Sequence, residues 1–183
     1  MKRYILTGAP GAGKTAILHF LEREGYVVVP EAATDVIALH QALGDPEPWA
    51  KDSFIAAVTE LQCARQRRIV SVPGEVQIYD RSPVCTYALA VFLGYRVPEV
   101  LECELERIEA QAIYDRTVLF VENLGFVTPT EARRITFEES LRFEQVHREA
   151  YVSFGYRCVS IAPGAVPERV AAIKQVLESA SDA

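Results

Sequence analysis

Residues 8–15 read Gly-Ala-Pro-Gly-Ala-Gly-Lys-Thr, a full G-x-x-x-x-G-K-[ST] phosphate-binding loop. The motif constrains architecture as much as ligand. It works only where a strand delivers the chain into the loop and a helix carries it away, so that backbone N–H groups and a helix N-terminus converge on phosphate oxygens. The flanks supply that context. Tyr4-Ile5-Leu6-Thr7 is an apolar run before the loop, and Ala16 to Glu24 reads as a helix after it. Gly8 and Gly13 leave no Cβ in the way of a curled backbone, and Gly11 adds slack. Gly8, Ala9, Pro10, Gly11, Ala12, Gly13, Lys14, Thr15 and Ala16 are therefore the expected nucleotide-binding residues. Lys14 is a point charge for the β- and γ-phosphates, and Thr15 offers a hydroxyl to Mg2+.

The rest of the chain alternates strand and helix. Strand-like runs cover Arg3 to Thr7, Tyr26 to Val29, Val76 to Tyr79, Arg116 to Val121 and Arg157 to Ile161. Helical patterns fall at Lys14 to Glu24, Thr34 to Gln41, Trp49 to Val70, Pro83 to Phe92, Glu99 to Ala110 and Pro167 to Ser179. Thr128-Pro129-Thr130-Glu131 and Thr136-Phe137-Glu138-Glu139 are capping boxes, the second opening a helix striped by Phe143, Val146, Ala150 and Phe154. Strands separated by helices imply parallel pairing, hence an α/β sandwich of helices around a sheet. With 183 residues, no repeat and no linker, one domain over 1–183 is expected, carrying a short lid around 123–136.

Composition narrows the class. No run approaches the about 20 apolar residues of a membrane span. The first strand is expected directly at the N-terminus, and no signal peptide is expected. Cys63, Cys85, Cys103 and Cys158 are dispersed and form no C-x-x-C, so neither zinc nor a disulfide framework is indicated and a cytoplasmic location is expected. A net charge of −6 opposes nonspecific nucleic-acid binding.

Ligands of parallel sheets lie beyond the carboxyl ends of the strands. Asp80 ends the third strand and is the natural second group for Mg2+; its alternative, shared with Ser82, is to cap the helix at Pro83. Arg81 follows where a motor ATPase places a second carboxylate to activate water, which favours a transferase whose arginine holds the acceptor or the moving phosphoryl group. Glu31 follows the second strand, as a proton acceptor or sugar ligand, or as a carboxylate favoured by a helix N-terminus. Arg133 and Arg134 would close as a lid over the transferring phosphoryl group, or else pair with Glu131 and Glu138 on a solvated face. Arg65, Arg67 and Arg68 could meet an acceptor phosphate or form a surface face. Trp49 and Tyr87 could stack on an acceptor ring or simply pack. His19, His40 and His147 show no metal-ligand spacing and receive no role.

These residues resemble the small P-loop AAA-domain ATPase/kinase-like family of NAD metabolism, which includes the ribosylnicotinamide-kinase domain of bacterial NAD-synthesis regulators. The likeness spans nearly the whole chain. It rests on Gly8 to Thr15, Pro30-Glu31-Ala32-Ala33, Tyr79-Asp80-Arg81-Ser82, Glu131 to Glu138 and Tyr151 to Ser160. It implies a three-layer, nucleotide-kinase-like P-loop fold with a five-stranded parallel sheet ordered 2-3-1-4-5. It also implies a lid at Arg133-Arg134 and adenine near Ala162 to Val166. The leading expectation is an ATP/Mg2+-dependent phosphotransferase acting on a small-molecule acceptor. In it Lys14, Asp80, Glu31, Arg133 and Arg134 are catalytic, Glu31 and Arg81 bind substrate, and Thr15 and Asp80 hold metal. The competing expectation is a nucleotide-dependent switch with slow hydrolysis and a protein or lipid partner. No N-K-x-D guanine signature is present.

Overall fold

A computed structural model describes residues 2–68, 75–125 and 136–180. In chain order its elements are β1 (Lys2–Thr7), α1 (Lys14–Arg23), β2 (Val27–Val29), α2 (Ala32–Ala42), a 3-10 turn (Pro48–Ala50), α3 (Ser53–Arg68), β3 (Val76–Asp80), α4 (Pro83–Leu93), α5 (Glu99–Ala110), β4 (Thr117–Val121), α6 (Phe137–Ser153), β5 (Arg157–Ile161) and α7 (Val166–Ser179). All four strand pairings are parallel, in the order β2-β3-β1-β4-β5. This is the expected architecture. The one long helix expected from Trp49 is instead a 3-10 turn followed by α3. The box at Thr128 and the pair Arg133 and Arg134 lie outside the described residues, as does most of the expected lid.

Alternation along β1 shows how the layers form. Tyr4 and Leu6 face one side and pack with Ile17 and Leu21 of α1 and with Val170 and Ile173 of α7. Ile5 faces the other side and packs with Ile55, Val84, Leu101 and Tyr151 from α3, α4, α5 and α6. Burying strands on both faces accounts for their near-continuous apolar character: β4 is buried at all five positions. A smaller cluster joins α2 to α3 through Ala32, Val36, Phe54 and Val58.

The strand order positions the site. The chain leaves β1 toward β2 on one side, and leaves β3 toward β4 on the other. The crevice between β1 and β3 is thus the switch point at which parallel sheets bind ligands. Leu6 pairs with Asp80 there, and the Arg81 amide donates to the Leu6 carbonyl at 3.0 Å. The phosphate loop and the Asp80-Arg81 turn emerge side by side.

Candidate functional site

The loop takes its shape from what surrounds it. Gly8 has φ +138°, and a Cβ there would lie 2.1 Å from the Val121 carbonyl oxygen of β4, so only glycine fits between the strands. Gly13 adopts the left-handed conformation at the N-cap of α1. The first turn of α1 holds no acidic residue, leaving its positive end uncompensated. Lys14 is buried, with its Nζ donating to the Gly8 and Ala9 carbonyls at 3.0 Å each. Burial, then the nearby Arg81 charge, pull its pKa down from 10.5 to about 7 against the opposing pull of Asp80 and Glu31.

Asp80, Arg81 and Glu31 converge on the loop. A cavity of about 290 Å3 is lined by Lys14, Thr15, Glu31, Asp80 and Arg81 with Gly11 and Gly13 of the loop. The Asp80 Oδ1 is buried and has no hydrogen-bond partner among the described residues. Burial first, then the Glu31 charge, push its pKa upward. An orphaned, desolvated carboxylate oxygen on a cavity that also holds an exposed threonine fits a hard cation with oxygen ligands. Capping does not account for the turn: α4 has no side-chain cap bond. The Ser82 hydroxyl pairs instead with the Tyr151 hydroxyl at 2.8 Å.

Glu31 and Arg81, fifty positions apart in sequence, form an ion pair, Nε to Oε1, at 2.5 Å. The other Glu31 oxygen accepts from Thr34 Oγ1 at 2.8 Å. Burial disfavours the Glu31 charge, but Arg81, Lys14 and Thr34 outweigh it and hold the pKa down at about 2. Burial likewise opposes the Arg81 charge, and Glu31, Cys85 and Asp80 raise its pKa in spite of that. Arg81 itself has φ +71°, a left-handed backbone uncommon for a non-glycine residue and costly without compensation.

A second cavity, of about 360 Å3, opens on the far side of this pair and shares Pro10, Glu31, Ala33, Ile37 and Arg81 with the first. Trp49, Phe54, Val58, Leu89, Phe92 and Phe143 make its wall mainly apolar. Thr86 Oγ1 donates to Gln62 Oε1 at 2.9 Å, and both line the cavity. Trp49 thus lines a cavity, where it is open to either reading, stacking or packing. Tyr87 does not; it packs edge-on against Phe154 in the core. Of the basic residues of α3, Arg67 and Arg68 are exposed, while Arg65 turns back to donate to the Pro30 and Glu31 carbonyls and to pair with Asp35. Arg65 therefore braces the Glu31 corner and lines neither cavity. The stretch 162–166 lines neither cavity.

Two residues near the site escaped the sequence reading. Arg169 of α7 is buried, with Nη1 donating to the Ala12 carbonyl at 2.8 Å and Nη2 to the Glu122 carbonyl at 3.1 Å, which ties the loop to the end of β4. The signal was a charge set among Val166, Val170 and Ile173 on an apolar helical stripe. His147 is fully buried against Arg81, on a face of α6 that it shares with Phe143 and Tyr151.

Fold and site together define a P-loop nucleotide-binding α/β protein. A family model described as an AAA domain matches residues 3–169, and the chain belongs to that family. Among solved structures it is similar to deoxyadenosine kinase from M. mycoides with dCMP and dCDP, at TM-score 0.63 and 14% identity, covering 97% of this chain and 99% of that one. It is similar to NadR protein in complex with NAD and AMP-PNP, at TM-score 0.67 and 19% identity, covering 97% of this chain but 49% of that one, so it spans about half of NadR. It is also similar to thymidylate kinase from Candida albicans, at TM-score 0.55 and 13% identity, covering 98% and 92%. Likeness at these identities establishes the shared fold. Among curated proteins none matches the sequence. No helix among the described residues is long and apolar enough to cross a membrane.

Proposed function

We propose that the protein is an ATP- and Mg2+-dependent phosphotransferase of the nucleoside/nucleotide-kinase type, working in the cytoplasm on a small alcohol. The observation that carries this reading is the Glu31–Arg81 pair on the boundary between a phosphate-loop cavity and a separate apolar cavity. A hydrolase needs only the first cavity.

In this reading the loop amides and Lys14 bind the β- and γ-phosphates, and Arg169 keeps the loop in shape from behind. Thr15 and Asp80 would hold Mg2+, which offsets phosphate charge and orients the triphosphate. The acceptor ring lies against Trp49, Phe54 and Phe143, and its hydroxyl donates to Glu31. The hydroxyl oxygen bonds to the γ-phosphorus as the bond to the β-bridging oxygen breaks, and ADP leaves. The proton passes to Glu31. A carboxylate held at about 2 is a weak base toward a free alcohol. In a loose phosphoryl transition state, however, the alcohol becomes acidic only as the new P–O bond forms, so Glu31 first orients and accepts late. Arg133 and Arg134 would add charge over the transferring group.

The lining also favours one acceptor class. Arg81 is the one cation among the described lining residues of the apolar cavity, and Glu31 already neutralises it. A monophosphate acceptor would find no uncommitted positive charge among those described residues. An uncharged, ring-bearing alcohol of the nucleoside class suits it better.

The test is ADP release across ribosylnicotinamide, nucleosides, nucleoside monophosphates and sugars. The expected result is slow hydrolysis alone and strong stimulation by one nucleoside-class alcohol. Glu31→Gln should lower the stimulated rate far more than ATP affinity, and a folded Asp80→Asn variant should lose Mg2+-dependent turnover. A flat response across the panel, with a nucleotide-dependent protein or lipid partner, would replace this reading with a switch.

A further inference from the structure

Helix α6 carries Phe143, His147 and Tyr151 at four-residue steps, so the three side chains share one face. That face lies against the turn after β3. Phe143 walls the apolar cavity, His147 abuts Arg81, and the Tyr151 hydroxyl reaches Ser82 Oγ at 2.8 Å and Cys85 Sγ at 2.9 Å. His147 has no exposed surface, and the proposed reaction gives it no task.

Its two ring nitrogens meet partners of opposite kind. Nδ1 is 3.0 Å from the Phe143 carbonyl oxygen, which can only accept. Nε2 is 3.4 Å from Arg81 Nη1, which can only donate. One form of the ring satisfies both: neutral, with its hydrogen on Nδ1 and a lone pair on Nε2. Protonation would turn Nε2–H against the guanidinium. Burial first, then the Arg81 charge, accordingly hold the ring pKa well below its ordinary value, outweighing the Phe143 bond and Glu31. The Phe143 ring packs edge-on against the imidazole, 4.1 Å away between centroids.

Arg81 needs such a partner. Its backbone has φ +71°, and the side chain must turn to bring Nε onto Glu31 at 2.5 Å. Held by that bond alone, the guanidinium could swing about it. A second acceptor at Nη1 defines its plane.

We infer that His147 is a positioning residue: its Nε2 lone pair fixes the Arg81 guanidinium, and through it the Glu31 carboxylate, at the boundary between the two cavities. The geometric part stands on its own, and the catalytic consequence rests on the transferase reading above.

The experiment uses the full chain, labelled with nitrogen-15. Ring correlation spectra of the parent protein at neutral pH should show His147 neutral, with hydrogen on Nδ1. The Arg81 Nε–H should exchange with water roughly tenfold faster in His147→Phe, because a group freed at one end opens more often. His147→Gln, which restores an acceptor near the Nε2 position, should return most of the protection. An Nε2–H or doubly protonated ring in the parent would overturn the inference, as would parent-like exchange in a folded His147→Phe. If that variant does not fold, the ring form in the parent decides. These readouts need no acceptor, so they hold or fail separately from the transferase reading. With an acceptor in hand, His147→Phe should lower kcat while the KM for ATP stays within about twofold, and His147→Gln should recover it. Equal kcat in all three proteins would refute the catalytic consequence.

Discussion

The Lys14 Nζ rests on two carbonyl oxygens of its own loop, at 3.0 Å each, in a place where burial first, then the Arg81 charge, pull its pKa down to about 7. That arrangement suits a group waiting for anionic ligand: a polyphosphate would supply what the carbonyls supply weakly. Lys14→Ala should weaken Mg-ATP binding by on the order of 2–4 kcal/mol, the scale of truncating one member of a desolvated charge pair. Calorimetry giving equal affinities would show that the lysine is only a loop brace. Glu31 carries the opposite burden, as the counter-charge to the buried Lys14 and the half-buried Arg81. Its folded pKa, about 2, lies below its ordinary 4.5, so it contributes stability that is fully present above about pH 4.5 and is lost as pH falls through about 2. Urea denaturation of the parent and Glu31→Gln should therefore show a gap in unfolding free energy that is wide at neutral pH and closes on acidification below about pH 4.5. A gap independent of pH would mean that Glu31 acts through packing or its Thr34 bond, not through charge.

At the scale of elements, α6 begins at a capping box that the sequence displayed plainly. Thr136 Oγ1 accepts from the Glu139 amide at 3.2 Å, and the Thr136 amide donates to Glu139 Oε2 at 2.8 Å. Thr136→Ala should cost about 1 kcal/mol of unfolding free energy, the usual worth of such a cap. Since α6 also carries the face beneath Arg81, protection of the Arg81 side chain should fall with it; chemical denaturation and hydrogen exchange check the two effects. Helix α7 shows a different economy. Its apolar stripe packs on α1 and the sheet, yet Arg169 breaks the stripe to reach the Ala12 and Glu122 carbonyls. The boundaries of both helices followed from local rules of capping and period. What each helix touches did not, because period reports which face is buried and never against what.

For the molecule as a whole, loop, strand ends and supporting helices form a site whose parts are drawn from β1, β2, β3, α1, α4, α6 and α7. A ligand that spans them binds the folded state only, so saturating Mg-ATP at a hundredfold over Kd should add about 2.7 kcal/mol to the unfolding free energy. For a chain of this size that is roughly 5–10 °C in Tm. Scanning calorimetry should find the shift in the parent and lose it in Lys14→Ala; no shift in the parent would remove the nucleotide reading. The sequence by itself determined the phosphate loop, the five alternating strands and the residues at their carboxyl ends. Each of these is written in local terms: glycine where the backbone must curl, apolar period, caps and breakers. Strand order came from family resemblance, since spacing implies parallel pairing but not which strands are neighbours. Only the tertiary structure decided that Glu31 meets Arg81, that Arg65 turns inward to brace Glu31, that Arg169 backs the loop, and that His147 lies under the guanidinium. These contacts join residues 34 to 157 positions apart. They are set by sheet order and by which helix faces meet across the sheet, and no local pattern along the chain encodes that.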